Sequence, residues 1–217
     1  DIFYQKFYIQ CSKLPVLKRY ALKIRRRLEI INLEDEYITR KQTAQILLKA
    51  FCVIIPLTVV VILATKGNML LMLSLILFEV FFIETIMEGF VDKIDNQLLR
   101  EQIDFFAEIR HAYHEYNMVE EAIYEVAQND EVKVSRQAER IHEVLISDDP
   151  EMELEKYYDI APNSFLKEFA GISYLTKEFG DRKDKDGASL YLKNLNNITQ
   201  EMQIEILKRD KLDYVFQ

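Results

Sequence analysis

The chain has 217 residues, with 36 acidic and 28 basic side chains and a formal net charge of −8. Hydrophobic residues make up 49% of it, which excludes a disordered protein, and a pI near 5.1 argues against nucleic acid as a partner. Five glycines and four prolines are too few for a turn-rich β-sandwich or a glycine-rich nucleotide fold, and two cysteines cannot build a disulfide framework.

The charges are distributed unevenly along the chain. Residues 1–50 carry 11 Lys/Arg and 5 Asp/Glu, a net charge of +6, whereas residues 91–217 carry 16 basic and 28 acidic side chains, a net charge of −12. Between the two lies the only stretch that is apolar enough for lipid. We therefore expect a basic cytoplasmic segment at 1–42, a transmembrane hairpin at 43–90 and an acidic cytoplasmic domain over the remainder.

The basic segment is predicted to form an amphipathic helix. Arg25, Arg26 and Arg27 lie on its polar faces. Just before the chain enters a membrane, such a helix can lie on anionic lipid headgroups, pack on the acidic domain that follows, or present a solvated face whose charge only sets topology. Its apolar residues recur at spacings of three and four: Leu14, Leu17, Ala21, Ile24, Leu28 and Ile31.

Two apolar runs predict a pair of transmembrane helices. About 20 apolar residues cross some 30 Å of hydrocarbon, a length that residues 46–64 and 68–86 provide. The short connection makes the two helices antiparallel, and the basic flank places both ends in the cytoplasm. The alternative is a buried hairpin in a soluble protein. A secretory signal peptide is not expected, because the run begins some 45 residues into the chain and no cleavage pattern of small residues precedes Lys66.

Three charged side chains lie in or beside this hairpin. Lys49 and Glu84 are at similar distances from the turn, near the cytoplasmic headgroups, so we expect an ion pair between them. Glu79 is about 20 Å from the turn, where a carboxylate costs about 3 kcal/mol if it faces lipid. It is expected either to contact another membrane subunit or to be neutral and bonded to a neighbouring helix. Pro56 is expected to kink the first helix.

Residues 91–217 are predicted to form an antiparallel bundle of about six helices, because apolar residues recur at helical spacing and no segment alternates with a period of two. Asp148-Asp149-Pro150 and Pro162 are typical of helix starts, Gly180 of a helix end, and the last helix is expected from about Gly187. The predicted core positions include Phe105, Ile109, Val134, Ile141, Phe169 and Met202.

Two Glu-x-x-His pairs, Glu108/His111 and Glu139/His142, have the spacing of ligands in di-iron carboxylate proteins, since residues three apart share a helix face. Metal ligands must project inward, yet helical geometry turns His111 and Glu139 away from the apolar stripes of their own helices. The sequence also lacks a phosphate-binding loop, a nucleophile elbow and a Cys-x-x-Cys pair. We therefore expect no catalytic, cofactor-binding or metal-binding residues and no small ligand.

The order of these parts resembles the type II secretion F family, the inner-membrane platform proteins of type II secretion systems, type IV pili and tight-adherence pili. The resemblance covers essentially the whole chain: KRYALKIRRRLEIINLEDEYITRKQ, the hairpin, QIDFFAEIRHAYHEYNMVEEAIYEVAQ, and SFLKEFAGISYLTKEFGDRKDKDGASLYLKNLNNITQEMQIEILKR. A hairpin before a single domain is most similar to the tight-adherence branch. The chain differs from the family at Tyr116-Asn117, where a Gly is usual, at Ile103-Asp104, where a Pro is usual, and in its charged segment after Gly180.

This resemblance implies a multi-pass protein of the bacterial inner membrane that is not an enzyme and has most of its mass in the cytoplasm. It would couple a cytoplasmic secretion ATPase to pilin-like subunits, beside a second platform protein or another copy of itself. The acidic residues Glu151, Glu153 and Glu155 are then the candidate ATPase contact. Family members carry further membrane helices after this domain. The alternatives are a membrane-anchored adaptor or sensor module and a membrane-bound di-metal carboxylate enzyme.

Overall fold

The chain is all-helical, as the sequence predicts, with 88% of it in helices and no strand among the residues described. The computed structural model describes residues 2–13, 15–33, 35–65, 68–128 and 133–215. The helices within these ranges are α1 Ile2–Lys13, α2 Pro15–Ile31, α3 Glu36–Ala64, α4 Met69–Tyr116, α5 Val119–Ala127, α6 Lys133–Ile146, α7 Pro150–Ile160, α8 Ser164–Phe179 and α9 Leu190–Val215.

Residue contacts divide the chain into two compact units, Asp1–Asp95 (unit 1) and Asn96–Gln217 (unit 2). Helix α4 contributes residues to both. The basic segment and the apolar hairpin belong to the same unit, because α1 and α2 pack against each other and against α3.

Side-chain caps determine several of the helix starts. The Asp35 carboxylate accepts a hydrogen bond from the amide of Ile38 at 2.9 Å, at the start of α3. Asp149 accepts one from the amide of Met152 at 3.1 Å, and Pro150 follows at the first helical position, where its missing N–H costs nothing. The start predicted at Asp148-Asp149-Pro150 is therefore confirmed.

The loop between α8 and α9 is longer than predicted. Gly180 ends α8 with a φ of +76°, as the sequence indicates, but α9 begins at Leu190 rather than near Gly187. Gly187 has a φ of +79° and lies in a turn in which the Asp184 carboxylate accepts a hydrogen bond from the amide of Ala188 at 3.1 Å. This hydrogen bond is the main reason that the pKa of Asp184 is lowered.

Unit 1 has a core around the first half of α3. The apolar stripe predicted for α2 is buried there from Ala21 to Ile31, against α1 and α3; Leu14 lies outside the described residues. The facing side of α3 is rich in small residues, which allow helix backbones to approach closely. Its buried residues are Thr39, Thr43, Ala44, Ile46, Leu47 and Ala50.

Unit 2 has an aromatic cluster at its centre. The Phe169 ring on α8 lies 4.8 Å from the Phe106 ring and 5.6 Å from the Phe105 ring, both on α4, and all three side chains are buried. Helices α5, α6, α7 and α9 all contact α8. Because α8 packs against all four of these helices, its buried face contributes to most of the helix packing in unit 2.

Two tyrosines in unit 2 are fully buried with their hydroxyl groups bonded. Tyr157 donates to the side-chain oxygen of Gln137 at 3.1 Å, and the hydroxyls of Tyr191 and Ser173 lie 3.3 Å apart. Burial raises the pKa of both tyrosines, since the phenolate would have to leave water.

Replacing Phe169 by Ala is expected to lower the free energy of unfolding of unit 2 by about 3–5 kcal/mol, since it opens a cavity at this cluster. Urea unfolding of the full chain in detergent, followed by helical circular dichroism, measures the change. The matched control is Phe179→Ala on the same helix, where the side chain is 68% exposed and the expected change is within about 0.5 kcal/mol. Equal effects of the two variants would contradict this description of the core.

Candidate membrane and partner surfaces

The surfaces of α3 and α4 are apolar and uncovered over most of the predicted spans. Both helices are long and apolar enough to cross a membrane, and only 17% of the most apolar stretch of α3 and 6% of that of α4 is buried. Val60 is 60% exposed, Leu70 82% and Phe81 79%. A core hairpin of a soluble protein would be mostly buried, so that alternative does not fit these helices.

Glu79 is an exception within this exposed surface. Its side chain is only 6% exposed, and Oε1 accepts a hydrogen bond of 2.6 Å from the Thr58 hydroxyl on α3. The same hydroxyl lies 2.9 Å from the carbonyl oxygen of Ile54, one turn earlier. Of the two arrangements expected for Glu79, the structure contains the contact with a neighbouring helix.

The direction of the side chains explains why Thr58 is the partner of Glu79. Thr58 is six residues, about 9 Å, from the end of α3, whereas Glu79 is ten residues, about 15 Å, from the start of α4. Side chains tilt toward the N-terminus of their own helix. In an antiparallel pair the two tilts point toward each other, and together they bridge the difference of about 6 Å.

Lys49 follows the same register between the helices. Its ammonium group lies 5.9 Å from the centre of the Phe90 ring on α4, a cation–π contact. Lys49 and Thr58 are nine residues apart on α3, and Phe90 and Glu79 are eleven apart on α4, so one antiparallel pairing accounts for both contacts. The Glu84 side chain lies outside the described residues, and the ion pair between Lys49 and Glu84 stays a prediction.

Pro56 lies inside α3, which runs without interruption from Glu36 to Ala64. A proline within a helix removes the hydrogen bond to the carbonyl four residues earlier, here that of Cys52. The kink at Pro56 stays a prediction. Cys52 itself is an exposed free thiol, whereas Cys11 in α1 is buried, and burial raises the pKa of the Cys11 thiol.

The three consecutive arginines of α2 point in different directions. Arg25 donates to Glu29 Oε1 at 2.6 Å and lies 3.5 Å from the Tyr8 hydroxyl oxygen. These hydrogen bonds, that to Tyr8 first, raise the pKa of Arg25. Arg27 pairs with Asp92 on α4 at 2.6 Å. Arg26 is exposed and has no ion-pair partner among the described residues, because successive helical residues are turned by about 100°.

The acidic residues of α7 are also not equivalent. Glu153 accepts hydrogen bonds from Lys156 at 2.7 Å and from Arg140 at 3.1 Å, and the bond from Lys156 is the main reason that the pKa of Glu153 is lowered. Glu151 and Glu155 are exposed. A partner of α7 would therefore meet Glu151 and Glu155 as its accessible negative charges, while Glu153 joins α7 to α6.

The two Glu-x-x-His pairs do not form a metal site in the part of the chain that the structure describes, where no three His, Cys, Asp or Glu side chains are close enough to hold an ion. Glu108, His111 and Glu139 are exposed. The His142 ring packs 5.1 Å from the Tyr124 ring.

Sequence reasoning missed two of the contact residues: Thr58 and Phe90. Thr58 is the one hydroxyl in the run PLTVVVIL, a usable signal for a polar contact inside a membrane pair. Phe90 carried no such signal, because its role depends on the register between two helices.

No protein-family model matches the chain, and no curated protein or solved structure is significantly similar to it.

Replacing Thr58 by Val is expected to destabilise the helix pair by about 1 kcal/mol, because it leaves the Glu79 carboxyl group buried without its donor. Unfolding of the purified chain in mixed micelles, titrated with sodium dodecyl sulfate, measures this difference. Thr58→Ser retains the hydroxyl and is expected to stay close to the original stability. If Val and Ser behave alike at position 58, the hydrogen bond does not stabilise the pair.

Proposed function

We propose that this protein is an inner-membrane platform protein of a pilus or type II secretion-like machine. Helices α3 and α4 anchor it as a transmembrane hairpin, and unit 2 works in the cytoplasm, where it couples a secretion ATPase to the assembly or extrusion of pilin-like subunits. The observation that carries the proposal is the uncovered apolar surface of α3 and α4. The choice of machine rests on the resemblance of the sequence to the type II secretion F family.

Energetics support lipid as the medium around this surface. Transferring one side chain of the size of Leu or Phe out of water lowers the free energy by about 1.5–3 kcal/mol. Val60, Leu70, Phe81 and many similar side chains are exposed together, which no ordinary water-soluble surface shows. The Glu79 carboxyl group is buried and bonded within the pair, as a carboxyl group inside a lipid-embedded hairpin should be.

The charges support the orientation. The net charge of +6 in residues 1–50 lies directly before the first span, and positive charge is retained on the cytoplasmic side. Unit 2 then faces the cytoplasm as well, since two antiparallel spans return the chain to the same side. A cytoplasmic, acidic, all-helical unit suits binding of a protein partner through charge rather than catalysis.

A cysteine at position 60 is expected to be inaccessible to a membrane-impermeant maleimide in isolated membranes, although Val60 is 60% exposed on the protein. The variant is Val60→Cys with Cys11 and Cys52 replaced by Ser, and labelling is read on gels before and after denaturation. Lys185→Cys in the same background is the control, because Lys185 lies in an exposed loop of unit 2. If position 60 is labelled as fast as position 185 in intact membranes, the hairpin is not in lipid.

The acidic helix α7 is expected to contribute to ATPase binding. Glu151→Lys with Glu155→Lys is expected to weaken binding of the purified chain to the secretion ATPase encoded nearest to it by about tenfold, mainly by slowing association. Biolayer interferometry measures both rates. Glu108→Lys with Glu139→Lys is the matched control, since both residues are exposed in unit 2 and the change in net charge is the same.

The comparison of these two double variants separates the possible outcomes. Weakening by the α7 variant alone supports α7 as the docking surface. Equal weakening by both variants points to overall charge, and unchanged binding removes α7 from the interface. An ATPase that binds neither the original chain nor any variant contradicts the platform function itself.

A further inference from the structure

The outer face of α2 combines positive charge with apolar surface. Arg19, Leu22 and Arg26 are spaced by three and four residues, so they lie on one face of the helix, and all three are exposed. Leu22 is 39% exposed, although the opposite face of α2 is buried in unit 1. The two arginines stand about 10 Å apart along the helix with the leucine between them.

Arg19 and Arg26 differ from the other arginines of α2 in their surroundings. Neither makes a hydrogen bond or an ion pair with any residue that the structure describes, whereas Arg25 and Arg27 are both paired within unit 1. Their charges are therefore not neutralised by the described part of the protein, and they are available to an external anion.

Two ion pairs locate this face relative to the apolar surface. Lys23 bonds Glu88 at 2.8 Å and Arg27 bonds Asp92 at 2.6 Å, so α2 and α4 run side by side in the same direction. On α4, the exposed apolar surface lies on the N-terminal side of Glu88 and Asp92. The N-terminal half of α2 is therefore the end nearer to the hairpin.

Arg19 lies one helical turn, about 6 Å, closer to the apolar surface than Lys23 does. The Arg26 side chain, which is long and tilts toward the N-terminus of α2, extends in the same direction. Arg19 thus stands close to the level at which the apolar surface of the hairpin ends, where the phosphates of a surrounding leaflet would be, and the Arg26 guanidinium group faces the headgroup layer farther out.

We propose that the face of α2 formed by Arg19, Leu22 and Arg26 binds anionic phospholipids of the cytoplasmic leaflet. The guanidinium groups bind the anionic headgroups, and Leu22, which stands between them along the helix, packs against the glycerol region of the same lipids. This inference rests on the proposed membrane hairpin and adds a lipid preference to it. The contact is continuous with the apolar surface of α3 and α4 and uses the two arginines of α2 that have no partner among the residues that the structure describes.

The chain contains no tryptophan, so single tryptophans can report the position of each surface. Leu22→Trp reports the face of α2, and Phe81→Trp, at a side chain that is 79% exposed in the hairpin, reports insertion. The full-length chain is reconstituted in phosphatidylcholine brominated near the glycerol end of its acyl chains, with or without one-third phosphatidylglycerol. Bromine quenches a tryptophan that touches lipid.

The expected result is strong quenching at position 81 in both membranes and about twofold stronger quenching at position 22 when phosphatidylglycerol is present. Arg19→Gln with Arg26→Gln is expected to remove the added quenching at position 22 and to leave position 81 unchanged. Arg182→Gln with Lys185→Gln, which changes the net charge equally within unit 2, is expected to leave both positions unchanged.

The two reporters distinguish failure of the inference from failure of the proposed function. Two results overturn the lipid preference but not the hairpin, provided that position 81 is quenched. In the first, phosphatidylglycerol has no effect on quenching at position 22. In the second, it has an effect, but the effect persists in the Arg19→Gln, Arg26→Gln variant. Absence of quenching at position 81 in either membrane overturns the hairpin, and the lipid preference with it.

Discussion

The structure depends on one constraint: the apolar surface of α3 and α4 is covered by nothing in the described chain. A typical domain is stable by about 5–15 kcal/mol, and each exposed Leu or Phe forgoes about 1.5–3 kcal/mol in water. The free energy lost by exposing about five such side chains would equal the whole stability of a domain, and many more than five are exposed. The surface therefore needs a nonaqueous covering, and its length along each helix matches the thickness of a bilayer.

The polar groups of unit 1 are arranged in agreement with that constraint. Glu79 is turned inward to Thr58, and Lys49 lies over the Phe90 ring, so these two charged side chains have partners within the helix pair. The ion pairs of Lys23 and Arg27 begin where the apolar surface of α4 ends. Unit 1 thus combines the packed helices α1, α2 and the first half of α3 with two apolar helical segments whose exposed surface is almost entirely hydrocarbon.

The sequence predicts the secondary structure and the buried stripes well, because both follow from the periodicity of one helix at a time. Ala21 to Ile31 in α2 and Phe169 in α8 are buried as their spacing indicates. Contacts between helices cannot be predicted in this way, because they depend on how two helices are aligned with each other. Lys49, for example, lies over the Phe90 ring, a contact that the periodicity of α3 alone does not indicate. Likewise, the sequence places Arg25, Arg26 and Arg27 on the polar faces of α2 but does not show which of them are paired within unit 1.

For the transmembrane hairpin proposed above, the hydrogen bond between Glu79 and Thr58 has a consequence for insertion into the membrane. Residues 69–86 contain twelve Leu, Ile, Phe and Val residues, which favour insertion by about 5 kcal/mol in total, while an ionised side chain at depth costs about 3 kcal/mol. The net free energy of insertion is therefore much less favourable for the second helix than for the first, which has no charged residue at a comparable depth. Synthesis in chain order delivers α3 first, so the hydroxyl partner is already in place when the carboxyl group leaves the translocon.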